Sequence, residues 1–168
     1  HRVLGIVFGV HNEFGRLLDE SIYKRAIVLR CAAAGILPAR QEVRITVRFE
    51  GFEKPYFMDL LFALGLMVEA KTAETLTNAH FSQALNYLLL TGMPNGLLLN
   101  LRPERVTHQF VSTTLDLAER RRITIHDADW TPINEPSRWL RKAVAGLLAD
   151  WGAFLQVALY REAIIHFL

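Results

Sequence analysis

The chain has 168 residues, 51% hydrophobic and 21% charged, with a formal net charge of +2. That length suits one domain, or one domain with an appendage, and allows a sizeable core. The small charge excludes a general polycation, so any contact with nucleic acid has to come from a local patch.

A single cysteine, Cys31, excludes an internal disulfide and fits a reducing, cytoplasmic setting. No signal-peptide pattern is visible, and because the chain opens on His1 an upstream piece is left open. The longest apolar stretch is broken by Asp59 and Glu69, so no membrane span is expected.

In chain order, residues 2–14 read as a helix with Val3, Val7, Val10 and Phe14 on one side, punctuated by Gly15. Residues 17–34 form a second helix ended by Gly35 and Pro38. Its expected core stripe is Leu18, Ile22, Leu29 and Ala33, with a second stripe of Glu20, Tyr23 and Ile27 beside it. Taken alone, Glu20 reads as a first-turn acid favoured by the helix dipole. Residues 41–50 alternate as a half-buried strand, Val43, Ile45, Val47 and Phe49 inward, Arg44, Thr46 and Arg48 outward.

Residues 55–72, PYFMDLLFALGLMVEAKT, form an apolar run that keeps Asp59, Glu69 and Lys71. Buried charges are costly unless paired or bound to a metal. Gly65 suits the positive φ of a three-residue hairpin loop over Ala63, Leu64 and Gly65. With that loop Phe62 pairs with Leu66, and counting back sets Asp59 opposite Glu69, with Lys71 on the same face. Two carboxylates about 4 Å apart repel by roughly 4 kcal/mol at an effective dielectric of 20. Such a pair calls for a cation, and two hard oxygen ligands suit Mg²⁺ or Mn²⁺. Two other readings stay open: an ion cluster without chemistry, and a two-residue loop that would separate the charges.

Residues 76–91 read as a helix with core stripe Phe81, Ala84, Leu85 and Leu88. A polar stripe of His80, Gln83 and Tyr87 runs beside it, with Asn86 on its flank. GLLLNL at 96–101 fits a buried strand, and residues 106–115 a strand at an edge. Arg120, Arg121 and Arg122 read as a solvated turn. From Asp127 the character changes. A loop leads to Ser137, expected to cap a helix carrying Trp139, Leu140, Val144, Leu147, Leu148 and Trp151. An apolar segment follows over 153–168, with Glu162 and His166 at the surface. Trp139, Leu147, Leu148, Trp151 and Phe154 are expected to be mostly buried, against the core or a second copy.

The order helix, three strands, helix, strand, carrying Glu20, Asp59, Glu69-x-Lys71 and Gln83-x-x-x-Tyr87, resembles the PD-(D/E)XK nuclease superfamily. More closely, it is similar to the bacterial GxxExxY group. The segments that match are ESIY at 20–23, MDLLF at 58–62, VEAK at 68–71, HFSQALNYL at 80–88 and GLLLN at 96–100. The Gln-x-x-x-Tyr element is similar to that of RecB-like nucleases. There are departures: the glycine that names the group falls at Leu17, and Ala70 stands where a larger hydrophobic residue is usual.

The resemblance implies an α/β, restriction-endonuclease-like core with a central mixed sheet in the order αβββαβ, flanked by helices. It divides the chain into a nuclease-like domain, 1–126, and a C-terminal helical extension, 127–168. It also implies a Mg²⁺ or Mn²⁺ ion on Asp59, Glu69 and the Ala70 carbonyl. Glu20 would contact the ion through water, and Lys71 would position or activate the attacking water. Gln83 and Tyr87 would orient Lys71 and the substrate backbone, with His80 and Asn86 as substrate-binding candidates. The expected function is metal-dependent phosphodiester hydrolysis of nucleic acid, DNA before RNA, without a membrane partner. A homodimer through the extension stays open, as does a non-catalytic binding or regulatory module on the same fold.

Overall fold

The computed structural model describes residues 1–167, all but the side chain of Leu64, and divides into two compact units. The first comprises residues 1–45 and 55–113, the second residues 46–54 and the chain from Thr114 on.

In the first unit the Val3, Val7 and Val10 side of α1 (Arg2–Phe14) is buried, together with His11. The second helix, α2 (Glu20–Ala33), turns inward a different stripe from the expected one. Tyr23, Ile27 and Cys31 are buried, whereas Leu18, Ile22, Leu29 and Ala33 are exposed. Apolar residues stand on two sides of this helix, so periodicity alone does not choose between them. The side that also carries Tyr23, with a hydroxyl that finds polar partners, is the one that packs.

Five strands follow: β1 (Ala39–Phe49), β2 (Phe52–Phe62), β3 (Leu66–Lys71), β4 (Asn95–Asn100) and β5 (Thr107–Ser112). They lie side by side in that order, with β5 at an edge as expected. A single 3₁₀ turn at Ala63–Gly65 joins β2 to β3, with Gly65 at φ +70°. Phe62 pairs with Leu66, and the two strands run antiparallel. β3 and β4 run parallel, so the chain must cross over between them, and α3 (Asn78–Thr91) is that crossover. β4 and β5 are antiparallel.

The sheet separates two apolar clusters. Leu60, Phe62, Val68, Ala70, Leu97 and Leu99 pack with α1 and α2. Met58, Met67, Leu98 and Val111 pack with Ala84, Tyr87 and Leu88 of α3. This is a mixed sheet flanked by helices in the αβββαβ order, the restriction-endonuclease-like fold expected from the sequence.

In the second unit Leu147 and Trp151 of α5 (Glu135–Trp151), with Leu155 and with Leu159 and Ala163 of α6 (Val157–His166), are buried. Trp151 donates from Nε1 to the Arg48 carbonyl at 2.8 Å, and its ring meets Phe49 and Phe52 at 5.9 Å each.

Four expectations for this region need correction. The cap of α5 is Asn134, whose Oδ1 accepts the Ser137 N–H at 2.9 Å, so Ser137 lies inside the first turn. Glu135-Pro136 is helical because proline at the start of a helix forfeits no hydrogen bond. Arg120, at the end of the short helix α4 (Leu117–Arg120), is buried, and donates from Nε to the Ala153 carbonyl at 2.9 Å and from Nη2 to the Trp151 carbonyl. Gly152 permits that approach, since a Cβ there would lie 2.7 Å from the Arg120 Cβ. Phe154 is 67% exposed, because the chain leaves α5 at Gly152 and Leu155 takes the inward place. Trp139 and Leu148 are only half-buried. Of the apolar segment expected over 153–168, Leu168 lies outside the described residues.

Candidate functional site

Asp59 stands where β2 loses its regularity. Met58 and Leu60 belong to different clusters although they are two residues apart, so the strict alternation breaks at Asp59. The pairs between β2 and β3 stop at Leu60 with Val68, one step short of Asp59 and Glu69. Such irregularities re-aim a side chain next to a site. Asp59 Oδ2 accepts the backbone N–H of Ala70 at 2.9 Å. The residue between the two acidic and basic positions of β3 thus anchors the opposite carboxylate.

Glu69 and Lys71 alternate with Ala70 on β3, on the side where Met67 meets α3. The Lys71 ammonium donates to Glu69 Oε1 at 2.7 Å. Glu69 is 1% exposed, and its Oε2 is buried with no hydrogen-bond partner among the described residues. A buried carboxylate oxygen left in this state costs free energy that a cation would recover. Burial first, then repulsion from Asp59, pushes the Glu69 carboxyl up to about 7. Lys71 is also raised: burial opposes its charge, but the bond to Glu69 and the charges of Glu69, Asp59 and Glu20 outweigh it.

Glu20 opens α2 and is raised by burial and then by Asp59. What fixes its helix start is Tyr23, fully buried, which donates to the Gly15 carbonyl at 2.6 Å and accepts the Leu18 N–H at 3.3 Å. The Glu-x-x-Tyr spacing therefore has a local cause: the tyrosine ties down the loop that presents the glutamate.

Tyr87 of α3 is buried, and its hydroxyl accepts from Gln83 Nε2 at 3.1 Å. Burial raises it, the Gln83 hydrogen bond opposes, and Glu69 and Asp59 add to the rise, so it sits within range of both carboxylates. Gln83 reaches this group through Tyr87. His80 caps α3, its Nδ1 accepting the Thr77 N–H at 3.1 Å. Asn86, also on α3, is buried.

Three participants escaped the sequence reading. Lys24, on the turn of α2 after Glu20, is buried and donates to Asp59 Oδ1 at 2.8 Å and to Glu42 Oε1, with Glu20 Oε1 at 3.5 Å. The i, i+4 spacing from Glu20 was the one available signal. Glu42 had none, because it is an ordinary polar position of β1 whose backbone takes φ +50°. Asn100, paired with Lys71 across β3 and β4, bonds both backbone groups of Ala73, through Oδ1 at 3.2 Å and Nδ2 at 2.7 Å. It fixes the chain just after Lys71.

Among the described residues, no three His, Cys, Asp or Glu side chains converge as a ready-made metal cluster. The donor set still fits a hard divalent ion. Two carboxylates, one with a partnerless buried oxygen, and a strand carbonyl suit an ion that keeps most of its waters. Among the described residues no helix is long and apolar enough to cross a membrane.

A family model described as the PD-(D/E)XK nuclease superfamily matches residues 1–112. No curated protein matches the chain. The solved structure of SSO0001 is similar at 19% identity and a TM-score of 0.41, over 88% of this chain and 82% of that one.

Proposed function

The chain belongs to the PD-(D/E)XK nuclease superfamily, and we propose on that premise that it is a divalent-metal-dependent phosphodiester hydrolase acting on nucleic acid, DNA first. Within the superfamily we assign it to the GxxExxY group. The observation that carries the reading is Glu69 Oε2, buried and without a partner beside Asp59 and Lys71.

Asp59, Glu69 and the Ala70 carbonyl would hold the ion, Mg²⁺ or Mn²⁺. When bound, it supplies a polarised phosphoryl oxygen and a water of lowered pKa. Lys71, held by Glu69 Oε1, keeps its ammonium beside the carboxylates and offsets charge on the phosphate. Glu20 adds a further carboxylate within range of Asp59 and Lys71. Tyr87, set by Gln83, limits where the Lys71 side of the site can move.

A non-catalytic module has one observation in its favour: both Asp59 oxygens are already engaged, by Lys24 and by the Ala70 N–H. Cleavage assays on single- and double-stranded DNA and RNA, with Mg²⁺ or Mn²⁺ and with EDTA, decide between the two. The nuclease reading expects ion-dependent cleavage that Asp59→Ala abolishes. Cleavage of none of these substrates, or equal cleavage by Asp59→Ala, removes it.

A further inference from the structure

We propose that Arg16 and Arg102 clamp an internal phosphodiester of the substrate strand, in a cavity beyond the ends of β3 and β4. This rests on the nuclease reading and deepens it, by naming what holds the backbone of the nucleic acid.

β3 and β4 run parallel and end side by side, with Lys71 opposite Asn100. In an open sheet, ligands gather beyond the carboxyl ends of parallel strands. The segments leaving these two strands line one open cavity of about 290 Å³ together with the loop before α2. Arg16 and Leu17 come from that loop, Glu74 follows β3, and Arg102 and Pro103 follow β4. Leu17 stands three residues before Glu20, and Glu74 three after Lys71. The segments around the cavity are thus the ones that carry the charged centre.

Buried polar side chains fix these segments. Asn100, 1% exposed, accepts the N–H groups of Ala73 and Arg102 on Oδ1, both at 3.2 Å, and donates from Nδ2 to the Ala73 carbonyl at 2.7 Å. The Lys71 carbonyl accepts the Leu101 N–H at 2.8 Å. Before α2, Tyr23 bonds the Gly15 carbonyl and the Leu18 N–H, on either side of Arg16 and Leu17. Arg16, Glu74 and Arg102 are exposed, yet each leaves a backbone tied down from within.

Among the described residues, none of these three charged groups takes a hydrogen bond or an ion pair. A guanidinium is a planar fork that matches a pair of phosphate oxygens. Two of them less the Glu74 carboxylate leave a formal charge of +1. An internal phosphodiester carries one negative charge and neutralises that balance, whereas a terminal phosphate, at about −1.5 to −2, exceeds it. Leu17, 72% exposed, and Pro103 offer an apolar face to the neighbouring sugar. Such a clamp touches no base edge, so it holds a strand without regard to sequence.

Fluorescence anisotropy of labelled single- and double-stranded DNA over a range of salt, in EDTA and again with Ca²⁺, tests this apart from turnover. Arg16→Gln/Arg102→Gln should keep the wild-type melting temperature, because both side chains are exposed. It should bind roughly ten- to a hundredfold more weakly. The slope of log affinity against log salt should flatten by about 0.7–0.9, the share of one phosphate. Arg30→Gln removes an equal charge, from a guanidinium already paired with Glu13 at 2.7 Å, and should leave affinity and slope as they were. The loss in the double variant should be equal for unrelated sequences, and for strands with and without a terminal phosphate.

A double variant that binds like Arg30→Gln overturns the proposal. So does a loss confined to one sequence or to strands with a terminal phosphate. Ion-dependent cleavage by the wild type would then still leave the nuclease reading standing. A wild type that binds no DNA overturns the proposal as well, and only the absence of all cleavage, of DNA and of RNA, removes the nuclease reading with it.

Discussion

Glu69 and Lys71 carry the clearest consequences at the scale of single residues. The Glu69 carboxyl is raised from 4.5 to about 7, first by burial and then by Asp59. Below pH 4.5 it is protonated in the folded and unfolded chains alike and costs nothing. Between there and pH 7 the unfolded chain releases its proton while the folded chain keeps it, so stability falls as pH rises. Glu20, raised for the same two reasons, adds to the fall. For Glu69 alone the size is roughly 3 kcal/mol, at 1.36 kcal/mol per pKa unit. Metal-free protein should therefore melt at a lower temperature at pH 8 than at pH 5, and Glu69→Gln should flatten that slope. An unchanged slope in the variant would show that the Glu69 carboxyl is not the group responsible. Lys71→Met keeps the stem's packing and removes the ammonium. If the site is catalytic, cleavage should be lost while Mg²⁺ still raises the melting temperature. If the charges form only a structural cluster, the change should cost about 3–5 kcal/mol and leave the melt insensitive to Mg²⁺.

Among the elements, the β2–β3 hairpin was legible and α2 was only half so. Gly65 and the spacing of charges are local signals, and a three-residue turn fixes the pairing of Phe62 with Leu66 without help from elsewhere. The break in β2 at Asp59 was not legible, because counting residues along two strands assumes a regular ladder. The buried side of α2 depends on what packs against it, and the sequence of the helix carries apolar residues on both sides. The one residue that distinguishes the sides is Tyr23, whose hydroxyl ties the loop from Gly15 to Leu18. Tyr23→Phe keeps the ring in place and removes both bonds, at a cost of about 1–3 kcal/mol for the buried groups left unpaired. Because that loop presents Glu20, the same variant should lose cleavage activity beyond what its melting temperature accounts for. Activity equal to wild type well below the melt would mean that Glu20 needs no such support.

At the scale of the whole molecule, the family match ends at residue 112 and the first compact unit at Thr113, yet the tip of the β1–β2 hairpin is counted with the second unit. Sequence order hides this, since residues 46–54 are separated by about a hundred positions from the helix that covers them. The Arg120 side chain was hidden for a related reason: its acceptors, the carbonyls of Trp151 and Ala153, are backbone groups that no side-chain pattern reports. Both observations lead to the same experiment. Val47 and Phe52 are buried, and Phe49 and Phe52 meet the Trp151 ring within the second unit. A chain shortened to residues 1–113 retains the charged centre, α3 and all five strands, but strips Trp151 from those rings and from the Arg48 carbonyl. Three large apolar groups at the end of a hairpin form a patch that favours association. The shortened chain should therefore elute as higher-order species in size-exclusion chromatography, and Phe49→Ser/Phe52→Ser in the same background should return it to a monomer. Arg120→Ala in the full chain should weaken the second unit by about 1–3 kcal/mol without the association seen on truncation, because Trp151 keeps its other contacts. A shortened chain that stays monomeric and melts like the full one would show that the tip folds without its cover.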